Sequence, residues 1–308
     1  MPGDPTPTPR PASRRRRTPV PASGVEAAPA DENPAADPPT SADPPTPGGR
    51  PGPTLRDGER VVMVDSRDRR YMVRLRAGSE FHTHAGVVAH DEIIGSAEGS
   101  EFRSGSGARY LALRPTLADH VLKMPRGAQV IYPKDLAAML MLADVTPGLR
   151  VFESGVGSGA LSSTLLRAGA DVTAYELRDD FAERARANVV ALGGDEVLAR
   201  YDVRLRDAYE CVDADPPFDR ALLDLPEPWR VVPHLTAALR PGGIVVVYNP
   251  SITQVVRLRR TLDDGAWALV ETLEVLHRTW HVEGESVRPD HRMVAHTGFV
   301  THARRVAP

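Results

Sequence analysis

From Arg150 almost to the C-terminus the chain repeats one pattern. A short run rich in β-branched and apolar residues is followed by a turn and then by a longer segment with apolar residues every three or four positions. Arg150–Glu153, "DVTAYE", "YDVRLRD", "FDRALLDL" and "GGIVVVYNP" read as strands. "GALSSTLLRAG", closed by Gly169, and "DDFAERARANVVAL" read as helices between them. Strands that alternate with helices predict a parallel sheet covered on both faces, with ligands outside the carboxyl ends of its strands. The fold class is therefore α/β and Rossmann-like, and its chemistry belongs at those strand ends.

The N-terminal third differs. Residues 1–54 hold more than half of the 29 prolines and almost no large apolar side chain, so they are expected to be a disordered tail. Its "RRRR" run (Arg14–Arg17) is offset by acidic residues further along. Over 55–115 short alternating stretches such as "RVVMVD", "RYMVRLR" and "YLALRP" predict a small β domain, leaving 116–308 for the α/β domain. His82 and His84 in "FHTHAG" would share one face of a strand, a spacing metal sites use, but no third ligand is evident and no metal is expected. A lone Cys211 excludes an internal disulfide and reads as a packing residue. No run of about 18 apolar residues and no apolar leader segment occur, which points to a cytoplasmic protein without a membrane partner. A net charge of -3 excludes general electrostatic coating of nucleic acid, so RNA contact would need a local patch. Arg67, Arg69, Arg70 and Arg74 are the candidates.

"ESGVGSGA" follows the first α/β strand and opens a helix. Gly155, Gly157 and Gly159 allow a tight turn and close approach of a ligand to the backbone. Their G-x-G-x-G spacing departs from the G-x-G-x-x-G of dinucleotide sites, and Glu153 beside them would repel a pyrophosphate but suit an ammonium. Glu176 ends the next strand, where a carboxylate accepts bonds from ribose hydroxyls, and Asp207 ends the third, within reach of an adenine amino group. These features predict a class I S-adenosylmethionine-dependent methyltransferase fold. Val156, Ser158 and Ala160 in the loop, with Ala208 beside Asp207, complete the expected cofactor-binding set.

Two segments compete for the substrate. "DPPF" (Asp215–Phe218) imitates the motif of amino-group methyltransferases, whose prolines fix carbonyls that grip the NH2. It precedes the apolar run of the fourth strand, and proline cannot serve a central ladder, so it belongs to the entry loop at the wrong sheet edge. Asp224 in "LDLPEPW" leaves the same strand at the productive edge; Pro226 and Pro228 stiffen the loop beyond it, and Trp229 offers a flat face. Asp224 is the predicted catalytic residue.

With "FHTHAG", "YPKD" (Tyr132–Asp135), "ESGVGSGAL", "LDLPEPW", "YNPSITQV" (Tyr248–Val255) and "HTGF" (His296–Phe299) in view, the chain from about residue 58 to 306 resembles the tRNA (adenine-58-N1) methyltransferases of bacterial and archaeal type. The resemblance implies methyl transfer to N1 of an adenine in the tRNA T-loop and a homotetramer. It places the catalytic aspartate at Asp224 and Tyr132 and Tyr248 in the adenine pocket. His296 is grouped with that pocket, packing and substrate contact both being open to it. The segment between Gly159 and Asp171 is shorter than usual for the family. The rival readings are an amino-group methyltransferase acting through "DPPF" and a non-catalytic tRNA-binding partner subunit.

Overall fold

The computed structural model describes residues 53–127 and 129–308, so most of the Pro-rich segment and its arginine run lie outside the described residues. At the margin of the expected tail, Thr54 already bridges Ala97 and Leu55 is buried.

Strands β1 (Arg60–Asp65), β2 (Arg70–Arg74), β3 (Glu80–Thr83) and β4 (Gly86–Ala89) are followed by the short helix α1 (His90–Ile93), then β5 (Glu101–Arg103) and β6 (Arg109–Leu113). Four of these strands form an antiparallel sheet in the order β2-β1-β6-β5, and β3 and β4 pair as a hairpin. Val61 and Met63, two apart on β1, enter a core with Leu75, Phe81 and Tyr110. Phe81 meets the Tyr110 ring edge-on at 5.5 Å. β3 ends at Thr83, so His84 falls in the hairpin turn and the expected shared face with His82 does not form. The described residues contain no cluster of three or more His, Cys, Asp or Glu able to hold a metal.

The β1–β2 turn explains "RDRR". Asp65 accepts bonds from the backbone of Arg67 and Arg69 and from Arg69 Nε at 2.7 Å. Arg70 reaches Asp119 at 2.7 Å, and Arg74 Nε donates to Gly58 O. Three of the four arginines expected to face RNA are thus tied within the protein.

Helices α2 (Leu117–Lys123) and α3 (Pro133–Leu142) lead into the second domain. There β7 (Arg150–Ser154), α4 (Ala160–Arg167), β8 (Asp171–Glu176), α5 (Asp179–Gly193), β9 (Tyr201–Leu205), β10 (Phe218–Leu223), α6 (Val232–Ala238), β11 (Leu239–Asn249), α7 (Ile252–Leu262), β12 (Trp267–Glu274), β13 (Trp280–Glu283), β14 (Ser286–Pro289) and β15 (Phe299–Arg305) follow in turn. The main sheet has the order β12-β15-β11-β10-β7-β8-β9. β7 to β11 run parallel, and β15 lies antiparallel to both its neighbours. Alternate residues serve opposite faces: Val151, Leu222 and Val246 pack with Leu165 and Ala185, while Phe152, Leu223 and Val247 pack with Leu235 and Leu258. Burial on both faces explains the near-continuous apolar runs seen in the sequence.

Candidate active site at the carboxyl edge of the sheet

From β7 the chain proceeds outward through β8 and β9, then returns to place β10 on the other side of β7. The helices that follow β7 and β10 therefore diverge, opening a crevice between the two strand ends. Ser154 with Gly155 borders it on one side and Asp224 on the other, joined by a bond from Asp224 N to Ser154 O at 2.9 Å.

The glycine loop follows from backbone sterics. Gly155, Gly157 and Gly159 have φ of +87°, +54° and +80°, a region that disfavours side chains. A Cβ on Gly155 would run into the Asp224 carbonyl, and one on Gly159 would press on Ala185 at 3.0 Å. At Gly157 a Cβ would meet nothing within 4 Å, so that side of the loop opens to the crevice. Val156, Ser158 and Ala160 are buried and pack the loop from beneath; Asn188 Nδ2 holds Ser158 O at 2.9 Å.

Three carboxylates surround this loop in different states. Glu153 is fully buried: Oε1 accepts from Ser162 Oγ at 2.9 Å, Tyr201 OH donates to that same Oγ at 2.8 Å, and Oε2 has no partner among the described residues. Desolvation pushes its carboxyl up to about 8, opposed by the Ser162 bond and reinforced by Asp224. Glu176, at the last position of β8, accepts from the backbone of Leu177, Arg178 and Gly157, which ties the glycine loop to the neighbouring strand. Asp207 lies two residues beyond β9 rather than at its end, and one oxygen accepts from Tyr209 N at 2.8 Å. Tyr175, Glu176, Leu177, Asp207, Ala208 and Leu225 line one cavity with Ser154 and Gly155. Leu177 is 63% exposed there, a large apolar side chain left open beside polar acceptors. The cavity thus offers apolar walls for a flat ring and carboxylates for hydroxyl or amino donors. The unpartnered Glu153 Oε2 is buried next to the loop, where an approaching cation would favour the charged carboxylate over its protonated form.

Asp224 follows β10 directly and is partly buried. Desolvation alone pushes its carboxyl up to about 7. Among the described residues no donor satisfies it, as the two prolines beyond it imply. The "LPEPW" loop is held from elsewhere. Gln254 Nε2 donates to Pro226 O at 2.9 Å while its Oε1 accepts from Ser251 N in the capping box of α7. Glu227 N donates to Tyr209 OH, and Trp229 lies in a 3-10 turn with the Arg257 guanidinium 5.4 Å from its ring centroid.

The remaining predicted residues gather on the β11 and β15 side. Tyr132 is the N-cap residue of α3. Tyr248 sits near the end of β11, 8% exposed, and its hydroxyl donates to Thr297 O at 2.6 Å; burial first, then Asp135, pushes its phenol up to about 12. Gly298 passes over the Tyr248 ring so closely that any Cβ there would enter it. His296 and Thr297 lie in the approach to β15. His296 is exposed; its ring nitrogens face Glu274 Oε1 at 2.7 Å and Pro250 O at 3.2 Å, which favours the doubly protonated ring and raises its pKa.

"DPPF" lies at the opposite edge. Phe218 is the first residue of β10 and pairs with Leu239, while Arg150 Nη1 holds Pro216 O and Pro217 O. Sequence reasoning missed Ser162, Tyr201 and Tyr209, whose roles depend on pairings distant in the chain. It also missed Lys134 and Asp135 as a buried pair; Asn249, which the sequence places at the productive edge, ends β11 fully buried with both amide atoms unpartnered among the described residues. An aspartate and a lysine inside an otherwise apolar stretch were the available signal.

Residues 109–288 match the family model described as the tRNA methyltransferase complex GCD14 subunit, and residues 52–101 match the one described as TrmI-like N-terminal. A Thermus thermophilus protein named tRNA (adenine(58)-N(1))-methyltransferase TrmI is 36% identical over 248 residues, covering 80% of this chain and 96% of that protein. A Methanocaldococcus jannaschii protein named tRNA (adenine(57)-N(1)/adenine(58)-N(1))-methyltransferase TrmI is 31% identical over 270 residues, covering 79% and 94%. Among solved structures, a Thermotoga maritima protein described as a SAM-dependent O-methyltransferase superposes with a TM-score of 0.79 at 32% identity, covering 83% of this chain and 96% of that one. The Aquifex aeolicus tRNA (m1A58) methyltransferase TrmI superposes with a TM-score of 0.72 at 26% identity, covering 83% and 100%.

Proposed function

The chain belongs to the TrmI family of tRNA (adenine(58)-N(1))-methyltransferases, and from that premise we propose that it transfers a methyl group from S-adenosylmethionine to N1 of adenine 58 in the tRNA T-loop. The observation that carries this reading is Asp224, a desolvated carboxyl without a donor among the described residues, at the crevice where the strand order reverses.

The residues present fit the cofactor. Glu176 and Asp207 retain acceptor capacity for ribose and adenine donors, Leu177 and Leu225 supply apolar walls, and the unpartnered Glu153 Oε2 suits an ammonium. Val156, Ser158 and Ala160 support the glycine loop that shapes this space. Bound there, S-adenosylmethionine supplies an activated methyl group on a sulfonium. Neutral adenine carries a lone pair on N1, so the protein need remove no proton to expose it. Asp224 as a carboxylate accepts a bond from the exocyclic amino group and stabilises the positive charge that develops on the ring. Tyr132, Tyr248 and Trp229 wall the pocket, and His296 braces its rim through Glu274 and Pro250. Because the target base is stacked in folded tRNA, it must be extruded before it can enter.

Self-association into a homotetramer belongs to the same reading. β13 and β14 pair only with each other, and Trp280, Val282 and Val287 are 58%, 69% and 59% exposed. A contiguous exposed apolar face of this kind is the sort of surface that a second copy of the chain covers.

Incubation of the protein with labelled S-adenosylmethionine and unmodified tRNA, followed by digestion to nucleosides, tests the activity. Label in 1-methyladenosine is expected. Label in N6-methyladenosine or in protein would overturn it in favour of an amino-group acceptor, and no transfer with intact tRNA binding would favour a non-catalytic partner subunit.

A further inference from the structure

Lys134 and Asp135 stand at the second and third positions of α3, and both are buried, their side chains 6% and 0% exposed. The three ammonium donors of Lys134 are all satisfied: Asp135 Oδ1 at 2.8 Å, Val275 O at 2.6 Å and Thr297 Oγ1 at 2.6 Å. Thr297 Oγ1 in turn donates a hydrogen bond to Asp135 Oδ2 at 2.6 Å. One ion pair therefore fastens three segments: the start of α3, the chain just after β12 and the approach to β15.

Both tyrosines placed in the substrate pocket hang from this pair. Tyr132 O accepts from Asp135 N at 2.9 Å and from Leu136 N at 3.0 Å, so its backbone moves with the aspartate. Tyr248 OH donates to Thr297 O at 2.6 Å, and Gly298 leaves room for its ring. A buried ion pair is a poor source of net stability, because desolvation offsets most of its attraction. It is better suited to fixing geometry, since misplacing any of its partners leaves a buried charge unsatisfied.

We propose that Lys134, Asp135 and Thr297 form a positioning clamp that sets the separation and orientation of Tyr132 and Tyr248 in the adenine pocket. None of the three touches the substrate in this arrangement; they act through the two tyrosines. The inference rests on the pocket assignment above and deepens it.

Single removal of the lysine would strand a buried carboxylate, so the informative variant is Lys134→Met/Asp135→Asn, which deletes both charges at similar volume. Thr297→Val and Thr297→Ser supply the conservative comparison. The double variant is expected to bind S-adenosylmethionine within about twofold of wild type, while kcat on tRNA falls roughly ten- to a hundredfold, the range for a slightly misplaced reacting partner. Thr297→Val should show the same split, and Thr297→Ser should recover most of the lost rate. Amide hydrogen exchange should accelerate at residues 132–136 and 296–299, a readout that does not depend on turnover. An unchanged kcat with only a lower Tm would reduce the clamp to a structural pair and overturn the proposal. So would equal losses in cofactor affinity, or exchange confined to other segments. Failure of the activity assignment is distinguishable, because wild type itself would then form no 1-methyladenosine.

Discussion

Asp224 and Glu153 are both raised carboxyls, yet they have opposite consequences. In the proposed mechanism Asp224 acts as an anion, and on that reading kcat/KM should rise with pH through a limb near 7 and level off above it. Asp224→Asn should remove that limb and lower kcat on the order of a hundredfold while leaving cofactor affinity nearly intact. A wild-type profile flat from pH 6 to 8 would count against the carboxylate mechanism. Glu153 bears on stability. In the unfolded chain it releases its proton near the ordinary glutamate value, and in the fold only near 8. Between those limits the folded state holds the extra proton, so stability falls as pH rises, by about 1.4 kcal/mol per pH unit at the steepest. Glu153→Gln should therefore gain in Tm over wild type as pH rises from 5 to 8, then hold a constant difference, while losing S-adenosylmethionine affinity. A Tm gain with unaltered affinity would leave Glu153 as a packing residue only. The sequence disclosed both carboxylates, because strand polarity decides which acidic residue stands at the productive edge. It could not disclose the Ser162–Tyr201 chain or the Lys134–Thr297 contact, the latter joining residues 163 apart.

At the level of elements, β7, β8, β10 and β11 were legible because strands buried on both faces demand short, mostly apolar runs bounded by turn residues. The start of α7 carries a local signal of the same kind, Ser251 and Gln254 standing three apart as a capping box requires. Charged repeats were not. Paired and solvated arginines look identical in sequence, and "RDRR" turns out to fasten a hairpin through Asp65. Arg69→Ala should accordingly lower Tm slightly and leave the salt dependence of tRNA binding unchanged, whereas loss of a phosphate contact would flatten it. A flatter salt slope in that variant would return β2 to the RNA interface. The glycine loop yields a sharper expectation. Gly155→Ala should cost at least tenfold in cofactor affinity, since the new methyl meets the Asp224 carbonyl and a left-handed backbone at once. Retained affinity in titration calorimetry would mean that the two strand ends can part without loss.

The whole molecule presents one surface that its own fold does not explain. In the β13–β14 register Trp280 lies opposite Pro289 and Val282 opposite Val287, so these four side chains share one face, while His281, Arg288, Glu283 and Ser286 take the other. Nothing in the sequence pattern singled out this hairpin, because four-residue strands carry too few positions for alternation to stand out. A two-stranded ribbon is marginal on its own in water, and its apolar face is left exposed. Covering each of these side chains is worth roughly 1.5–3 kcal/mol, and a symmetric assembly repeats the gain at every equivalent contact. Trp280→Glu or Val282→Glu would place a charge at each copy of that contact. Light scattering across micromolar concentrations should show wild type at four chains and either variant at two or one, with S-adenosylmethionine affinity preserved because the glycine loop belongs to the α/β sheet. A variant that keeps the wild-type mass would remove the hairpin from the interface, and a monomeric wild type would remove the tetramer itself. If assembly breaks and tRNA methylation falls while cofactor binding stays, the T-loop is gripped by more than one subunit, and the scarcity of free arginines on β1 and β2 has its explanation.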